Sequence, residues 1–489
     1  MKTINKSTEF RKNTQQPAKR LLTSALILAL ISTASCGGGG GSSSGGSVAD
    51  ISGSGFVQGS IDGFGSVIVN GVHYNTDNAE FTVRSVRGQQ ADLKVGQFVT
   101  IIGSRTGSEG IAKSVSYKAS LEGPVARIDA DAQHIEILGQ VVIVDQLTAF
   151  KGLTFSTLAV GDFIEVSGVR TADGAIAAGY IELETDGGGV ELHGEISQLN
   201  LSDSTFMIQS QRVNYSAAQL EMDGRDIANG MQVEVEGTLN AGVLMATEVE
   251  NEDLDIDEGT EVDIEGRITL LNKTDKLFEV KGISVRYSND TEFDDGDMED
   301  LANNQQVEVE GVVDAEGVLH AESIEFEESN AAELSASVEQ VDSAAGTITV
   351  LGMTIEVNSS TRIDDDRDDL QLFSLADIVV GDYLELVVSR DQQGLLKALK
   401  LSRDENDSEV SLKADVSAIN RVAKSVELLG KSYSLNANGI SFFVDDSDNP
   451  SVSIDEFFAA LQAGSTLELS GSVIADSLVI SEAVVSSQD

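Results

Sequence analysis

Carboxylates in tight clusters are the residues of this chain best placed to do chemistry. Asp294, Asp295 and Asp297 stand together, with Glu299 and Asp300 close behind. Asp364, Asp365 and Asp366 form a second group, followed by Asp368 and Asp369, and Asp445, Asp446 and Asp448 form a third. Ca2+ takes roughly six to eight oxygen ligands, and closely spaced carboxylates on a turn supply several of them. These three clusters are therefore the candidate Ca2+ ligands, and no other cofactor is expected. A further run, Asp253, Asp255, Asp257 and Glu258, lacks the Gly that an EF-hand loop needs after its third acidic position. The competing reading of all four runs is a solvated acidic face.

Histidine offers less. His73, His134, His193 and His320 are far apart in the sequence and share no spacing that would converge on a metal or a nucleophile. Neither a nucleophile elbow nor a phosphate-cradling Gly loop nor a zinc-protease helix motif occurs. The chain is read as non-catalytic.

Cys36 is the only cysteine, which rules out disulfides within the chain and thiolate metal sites. It follows a basic stretch with Lys2, Lys6, Arg11, Lys12, Lys19 and Arg20, and an apolar run from Leu21 to Ala34. That run falls short of the roughly 18 apolar residues of a membrane span, and the pattern is that of a secretory signal peptide. The sequence Thr33-Ala34-Ser35-Cys36 resembles the lipobox of bacterial lipoproteins, with Thr33 where Leu is usual. The resemblance implies that residues 1–35 are removed, that Cys36 is lipidated, and that membrane lipid is one partner. Gly37 is not Asp, which by the enteric sorting rule implies the outer membrane. The run GGGGGSSSGGS after Cys36 behaves as flexible coil, so residues 36–54 form a tether.

The formal net charge is −49. Residues 48–120 are neutral, residues 121–186 carry −8, and residues 187–489 carry −46. Such a polyanion is a poor partner for nucleic acid. The absence of Trp weakens a carbohydrate-binding role. Hydrophobic residues make up 41%, enough for packed cores.

One phrase recurs and shows what positions these residues. It reads GQFVTIIG from Gly96, GDFIEVSG from Gly161, GMQVEVEG from Gly230, NQQVEVEG from Asn304, GDYLELVV from Gly381 and GSTLELSG from Gly464. The intervals are 65, 69, 74, 77 and 83 residues. Six recurrences at comparable spacing and in similar context mark tandem units. The expected repeats are residues 55–120, 121–186, 187–256, 257–329, 330–406 and 407–489. Strict alternation as in VEVE predicts strands with one buried and one wet face. Each phrase has three strands upstream and an Ala-bearing strand downstream, as in GVLMATEVE and GVLHAESIE. In the last unit Ser453 to Glu456 fits a capping box ahead of Phe457, Phe458 and Leu461, predicting a short helix that Gly464 ends. Three strands, a helix and two strands match a five-stranded OB-like barrel. The expected fold is thus all-β, a tandem array of about six such barrels.

The segment GSIDGFGSVIVNGVHYNTDNAEF, followed by LKVGQFVTIIG and an Ala-bearing strand, resembles the family catalogued as domain of unknown function 5666. The resemblance is closest in residues 55–118 and 121–184. It implies a secreted β-domain protein and carries no catalytic residues. The functional expectation is an extended, lipid-anchored spacer or binding module of the outer membrane, meeting an envelope protein or surface partner. The alternative is a Ca2+-binding, adhesin-like surface protein.

Overall fold

In the computed structural model the described residues are 51–185, 189–252, 256–326, 331–391, 394–407, 410–444, 450–474 and 477–486. Residues 1–35, Cys36, the Gly/Ser run, Asp253, Asp255, Asp445, Asp446 and Asp448 lie outside them.

The recurring phrase owes its first residue to backbone geometry. Gly96, Gly161, Gly230, Gly381 and Gly464 all take left-handed φ values between 82° and 98°. The fourth unit has Asn304 there, at φ 69°, and Asn is one of the few side chains that visit this region readily. In all six units the N–H of this residue donates to a carbonyl of the unit's first strand (Ile61, Val125, Ile196, Ile268, Val338 and Val416) at 2.8–2.9 Å. The turn thus sets the strand of the phrase against the first.

The closing Gly has a different reason. The ladder between the last two strands slips by one residue at Gly103, Gly168, Gly237, Gly311 and Gly471. This is a β-bulge, which bends the strand so that a sheet can close. A Cβ at any of these glycines would lie 2.0–2.4 Å from a partner-strand carbonyl oxygen. In the first four units the bulge faces Ala112, Ala178, Ala246 and Ala321, which accounts for the recurring Ala. The fifth unit makes the same shift at Val388, opposite Ala398.

The first unit shows the circuit. Ile51–Phe64 pairs antiparallel with Val67–Val69, which pairs antiparallel with Val72–Asn75. That third strand runs parallel to the last, Glu109–Tyr117, which pairs with Phe98–Thr106 and so back to the first. The same five pairings close the second unit and the fourth. The all-β, OB-like barrel is therefore the fold. A short extra strand, Glu80–Val83 in the first unit, also lies parallel to the last strand. Inside each barrel the alternating Val, Ile and Leu side chains are removed from water, as with Val99, Ile101 and Val115 at 0–1% exposure.

The helix forms as its capping box predicts, from Ile454 to Ala460, with Phe457 and Phe458 buried. It ends earlier than expected. Leu461 is the extended C-cap, and Gly464 instead serves the left-handed turn of the next strand. At the same place in the first and fifth units stand the 3-10 turns Gln90–Asp92 and Leu375–Asp377.

The repeats do not string out in chain order, which corrects the expectation of an extended array. The first strand of repeat 1 pairs parallel with that of repeat 4, Phe56 to Gln58 against Val262 to Ile264. Repeats 2 and 3 pair through Leu121 and Leu192, and repeats 5 and 6 through Leu334 and Leu412. Each of the latter two pairs shares one apolar core. First strands offer leucine at these contacts, so apolar burial and ladder hydrogen bonds join one barrel to the next.

Candidate functional site

The VEVE alternation sends Val inward and Glu outward. In repeat 4 this places Asp263 directly across from Glu310, and Glu265 across from Glu308. In repeat 3 it places Glu191 across from Glu236, and His193 across from Glu234. Like charges facing each other across a ladder are destabilising, and these faces are not wet as the alternation suggested. Glu165 is fully buried, Glu234 is 4% exposed and Glu310 is 7% exposed. Several of the outward carboxylates are covered by other repeats, which supply cations, whereas Glu236 stays exposed.

In repeat 4 the cation is Arg105 of repeat 1, itself 3% exposed. Its Nη1 donates to Asp263 Oδ2 at 2.6 Å, and its Nη2 donates to Glu310. Asn70 Nδ2 donates to the other Asp263 oxygen at 2.6 Å. Burial pushes the Asp263 carboxyl up to about 6 even though Arg105 opposes the shift. Glu308 is pushed well above the carboxylate range by burial and then by the charge of Asp263.

In repeat 3 the covering cation is Lys118, which reaches Glu234 at 2.6 Å and Glu252 at 3.3 Å. His193 supplies another from within. Its Nε2 lies 2.8 Å from Glu191 Oε1 and its Nδ1 lies 2.5 Å from Glu252 Oε2. Two carboxylates on the two ring nitrogens require an imidazolium, since both nitrogens must donate. Between repeats 1 and 2, Arg84 reaches both Glu165 and Glu184, and Tyr117 Oη donates to Glu165 at 2.5 Å.

With this geometry in hand, the comparison with known proteins is direct. A family model described as "Domain of unknown function (DUF5666)" matches residues 54–116, 122–182, 193–250, 265–325 and 336–402, together more than half of the chain. The chain belongs to the DUF5666 family. The sixth unit, outside the matched ranges, makes the same turn and bulge as the five DUF5666 repeats. No curated protein matches the chain. Among solved structures, drosophila Unr CSD456 is similar at 14% identity and a TM-score of 0.12, over 43% of this chain and 99% of that one. A multidomain protein with nucleic acid binding domains from Streptococcus pneumoniae is similar at 12% identity and a TM-score of 0.13, over 45% of this chain and 73% of that one. Both TM-scores are far below that of a shared overall arrangement.

The acidic clusters singled out in the DUF5666 sequence fall elsewhere. In repeat 5, Asp365 is 2% exposed and takes both forks of Arg403, each at 2.7 Å. Asp366 accepts from Ser402 Oγ at 2.7 Å. Burial raises Asp364, and Asp366 adds to the shift. In repeat 4, Asp294 ends the short strand Glu292–Asp294, Asp295 has a left-handed φ of 57°, and Asp297 accepts the Glu299 N–H at 2.9 Å. Among the described residues, the two acidic groups whose ligand atoms come within 4.8 Å of one another are Asp263, Glu308 and Glu310, and Glu191, His193 and Glu234. Neither contains a predicted site residue. The second is ill suited to a metal, because His193 has no ring lone pair left while both nitrogens donate. The signal that could have found both groups is the pairing of an acidic first strand, EVDIEG or VELHGE, with the acidic strand of the recurring phrase, VEVEG.

The imidazolium gives repeat 3 a pH window. Burial would lower the His193 pKa, but the charges of Glu252 and Glu191 and their hydrogen bonds outweigh it and raise it from 6.5 to about 10. Burial would raise Glu252, but His193 and Lys118 hold it down at about 2. A raised histidine contributes stability that is complete below its unfolded value of 6.5 and is lost as pH climbs through 10. A depressed carboxylate contributes stability that is present above 4.5 and is lost as pH falls through 2. The pair therefore stabilises most between pH 4.5 and 6.5. His193→Gln is expected to lower the melting temperature most in that window, with the difference shrinking towards pH 10. A difference that stays constant from pH 6 to 10 would refute the imidazolium clamp.

Proposed function

We propose that this DUF5666 protein is a non-catalytic, lipid-anchored component of the bacterial cell envelope, whose repeats present a binding surface to an envelope or surface partner. One observation carries the non-catalytic reading. The charged side chains best placed for chemistry are engaged with one another: Arg105 with Asp263 and Glu310, His193 with Glu191 and Glu252, and Arg403 with Asp365. A general acid or base needs a free partner atom within reach of a substrate, and these groups spend theirs on one another, within a repeat for His193 and Arg403 and between repeats 1 and 4 for Arg105. The ladder between repeats 1 and 4 favours a consolidated body over the extended spacer. The acidity of the chain argues against nucleic acid as the partner.

The anchor rests on the basic segment, the short apolar run and Cys36. Its test is direct. Cys36→Ala is expected to abolish incorporation of labelled fatty acid and to remove the chain from the detergent-extracted outer-membrane fraction, or leave it held by an uncleaved signal. Fatty-acid label retained on the variant, or none on the natural chain, would end the assignment. With the anchor established, crosslinking in intact cells identifies the envelope partner. The reading predicts a crosslinked protein that disappears with Cys36→Ala.

A further inference from the structure

A row of carboxylates crosses the joint between repeats 2 and 3. Glu182 lies opposite Glu165, Glu165 opposite Glu122, Glu122 opposite Glu191, Glu191 opposite Glu236, and Glu236 opposite Glu248. Directly opposed residues share a face of the sheet, so six glutamates stand side by side, one on each of six adjacent strands. Neighbouring strands are about 4.7–4.9 Å apart, and like charges directly opposite each other are destabilising. The middle pair, Glu122 with Glu191, is half of the ladder that joins the two barrels, and Leu121 with Leu192 is the other half.

Among the described residues two cations bond to the row, Arg84 of repeat 1 at Glu165 and His193 at Glu191. Arg84 is shared with Glu184. Lys118 is engaged with the adjoining row, at Glu234, Glu250 and Glu252, and Lys151, which lies opposite Glu182, pairs with Asp369. Tyr117 and Tyr180 donate their hydroxyls to Glu165 and Glu182. Burial pushes Glu122 up to about 7; Arg84 opposes the shift, and Glu191, Glu184 and Glu236 add to it. Burial likewise brings Glu165 to about 7 against Arg84 and the Tyr117 hydrogen bond, with Glu182 and Glu184 adding. At the far end Glu248 is raised by burial and by Glu221, Glu236 and Glu250.

The joint between repeats 5 and 6 is built on the same register, with Leu334 opposite Leu412. Its equivalent row reads Ser402, Glu385, Ser335, Ser411, Ser470 and Glu482. No two carboxylates are neighbours there. On the other flank of its leucines Glu333 lies opposite Lys413, an ion pair at 2.9 Å. The fold therefore does not require the six glutamates, and one chain holds the same joint with and without them.

We propose that the six-glutamate row makes the joint between repeats 2 and 3 responsive to pH: it is tight in mild acid, where neighbouring carboxyls share protons, and loosens as the row ionises towards neutral pH. A protonated carboxyl donates to the carboxylate beside it, whereas two ionised neighbours repel. The sign follows from linkage. A carboxyl raised in the folded chain subtracts stability as pH climbs from its unfolded value of 4.5, and the subtraction is complete above about 7. The His193–Glu252 pair is constant between pH 4.5 and 6.5, so a change inside that window belongs to the row. The inference does not depend on the envelope assignment.

The test is hydrogen exchange of the full chain, read by mass spectrometry on peptides covering residues 119–125 and 190–195 and corrected for the intrinsic effect of pH. From about pH 5 to about pH 6.5 the protection of these strands is expected to fall roughly tenfold, while peptides covering residues 332–337 and 410–415 change less than about twofold. Glu122→Gln should hold the fall at residues 190–195 to about threefold or less. Protection that does not change with pH, an equal fall at both joints, or a Glu122→Gln chain that falls like the natural one would overturn the proposal. If Glu122→Gln fails to fold by circular dichroism, Glu122→Ser, which copies Ser335 at the equivalent position, decides by the same readout.

Discussion

Arg105→Ala is expected to cost about 3–5 kcal/mol and to lower the melting temperature of the chain by on the order of 10 °C. The size of the effect comes from what the substitution leaves behind. Arg105 is 3% exposed and lies between Asp263 and Glu310, which face each other across one ladder. Removing the guanidinium strands two carboxylates in a site from which water is excluded, and breaking one side of a buried pair is far more costly than replacing the whole pair with apolar groups. Arg105→Lys keeps the charge but cannot reach two carboxylates as a fork, so an intermediate loss is expected. A thermal melt followed by circular dichroism distinguishes these outcomes. If Arg105→Ala melted within about 2 °C of the natural chain, well short of the shift a lost buried pair implies, the repeat 1–4 contact would not depend on this cation.

The second large effect is expected from a single methyl group. Gly237→Ala should destabilise the repeat 2–3 pair by about 2–3 kcal/mol. The added Cβ would stand 2.3 Å from the Met245 carbonyl oxygen and 2.9 Å from its carbon, both backbone atoms that cannot rotate aside. The bulge must open, and with it the pairing that closes the barrel. Gly63→Ala is the matched control, since its Cβ would meet only the Ile68 side chain at 3.5 Å. Denaturant melts of the two variants should therefore separate clearly. Equal midpoints would show that the bulge tolerates a side chain, as Val388 does in repeat 5.

What the sequence reveals follows the range of the forces involved. Turn chemistry is local, so the six phrases expose the left-handed turn, the bulge and the strand order around them. The capping box at Ser453 and Glu456 is local too, and it yields the helix. The short fourth strands, such as Glu80–Val83, are too brief for periodicity, and their pairing is with a strand more than thirty residues later. The contact between barrels is hidden for a further reason. Alternation reports which face of a strand avoids water within its own barrel, and Glu310 on the opposite face reads as solvated. Only the arrival of Arg105, 205 residues away, shows that this face is covered. The converging carboxylates of the two ladders escape a sequence reading for the same reason. Density of Asp in the sequence singles out loops, whereas convergence of carboxylates is produced by two neighbouring strands that each look unremarkable.

The parallel ladder between repeats 1 and 4 also imposes an order of events in time. Repeats 2 and 3 are neighbours in the chain and can join as soon as both have been made. Repeat 1 is made first, but Asp263, which pairs with Arg105, comes 158 residues later. At a synthesis rate of roughly 5–20 residues per second, Arg105 waits about 8–30 s for that partner. During that interval the first barrel is without its final neighbour, and Phe56, which packs into the core of repeat 4, has nothing yet to cover it. The oldest part of the newborn chain is among the last to reach its finished surroundings, so a holding chaperone would be needed most at its first barrel.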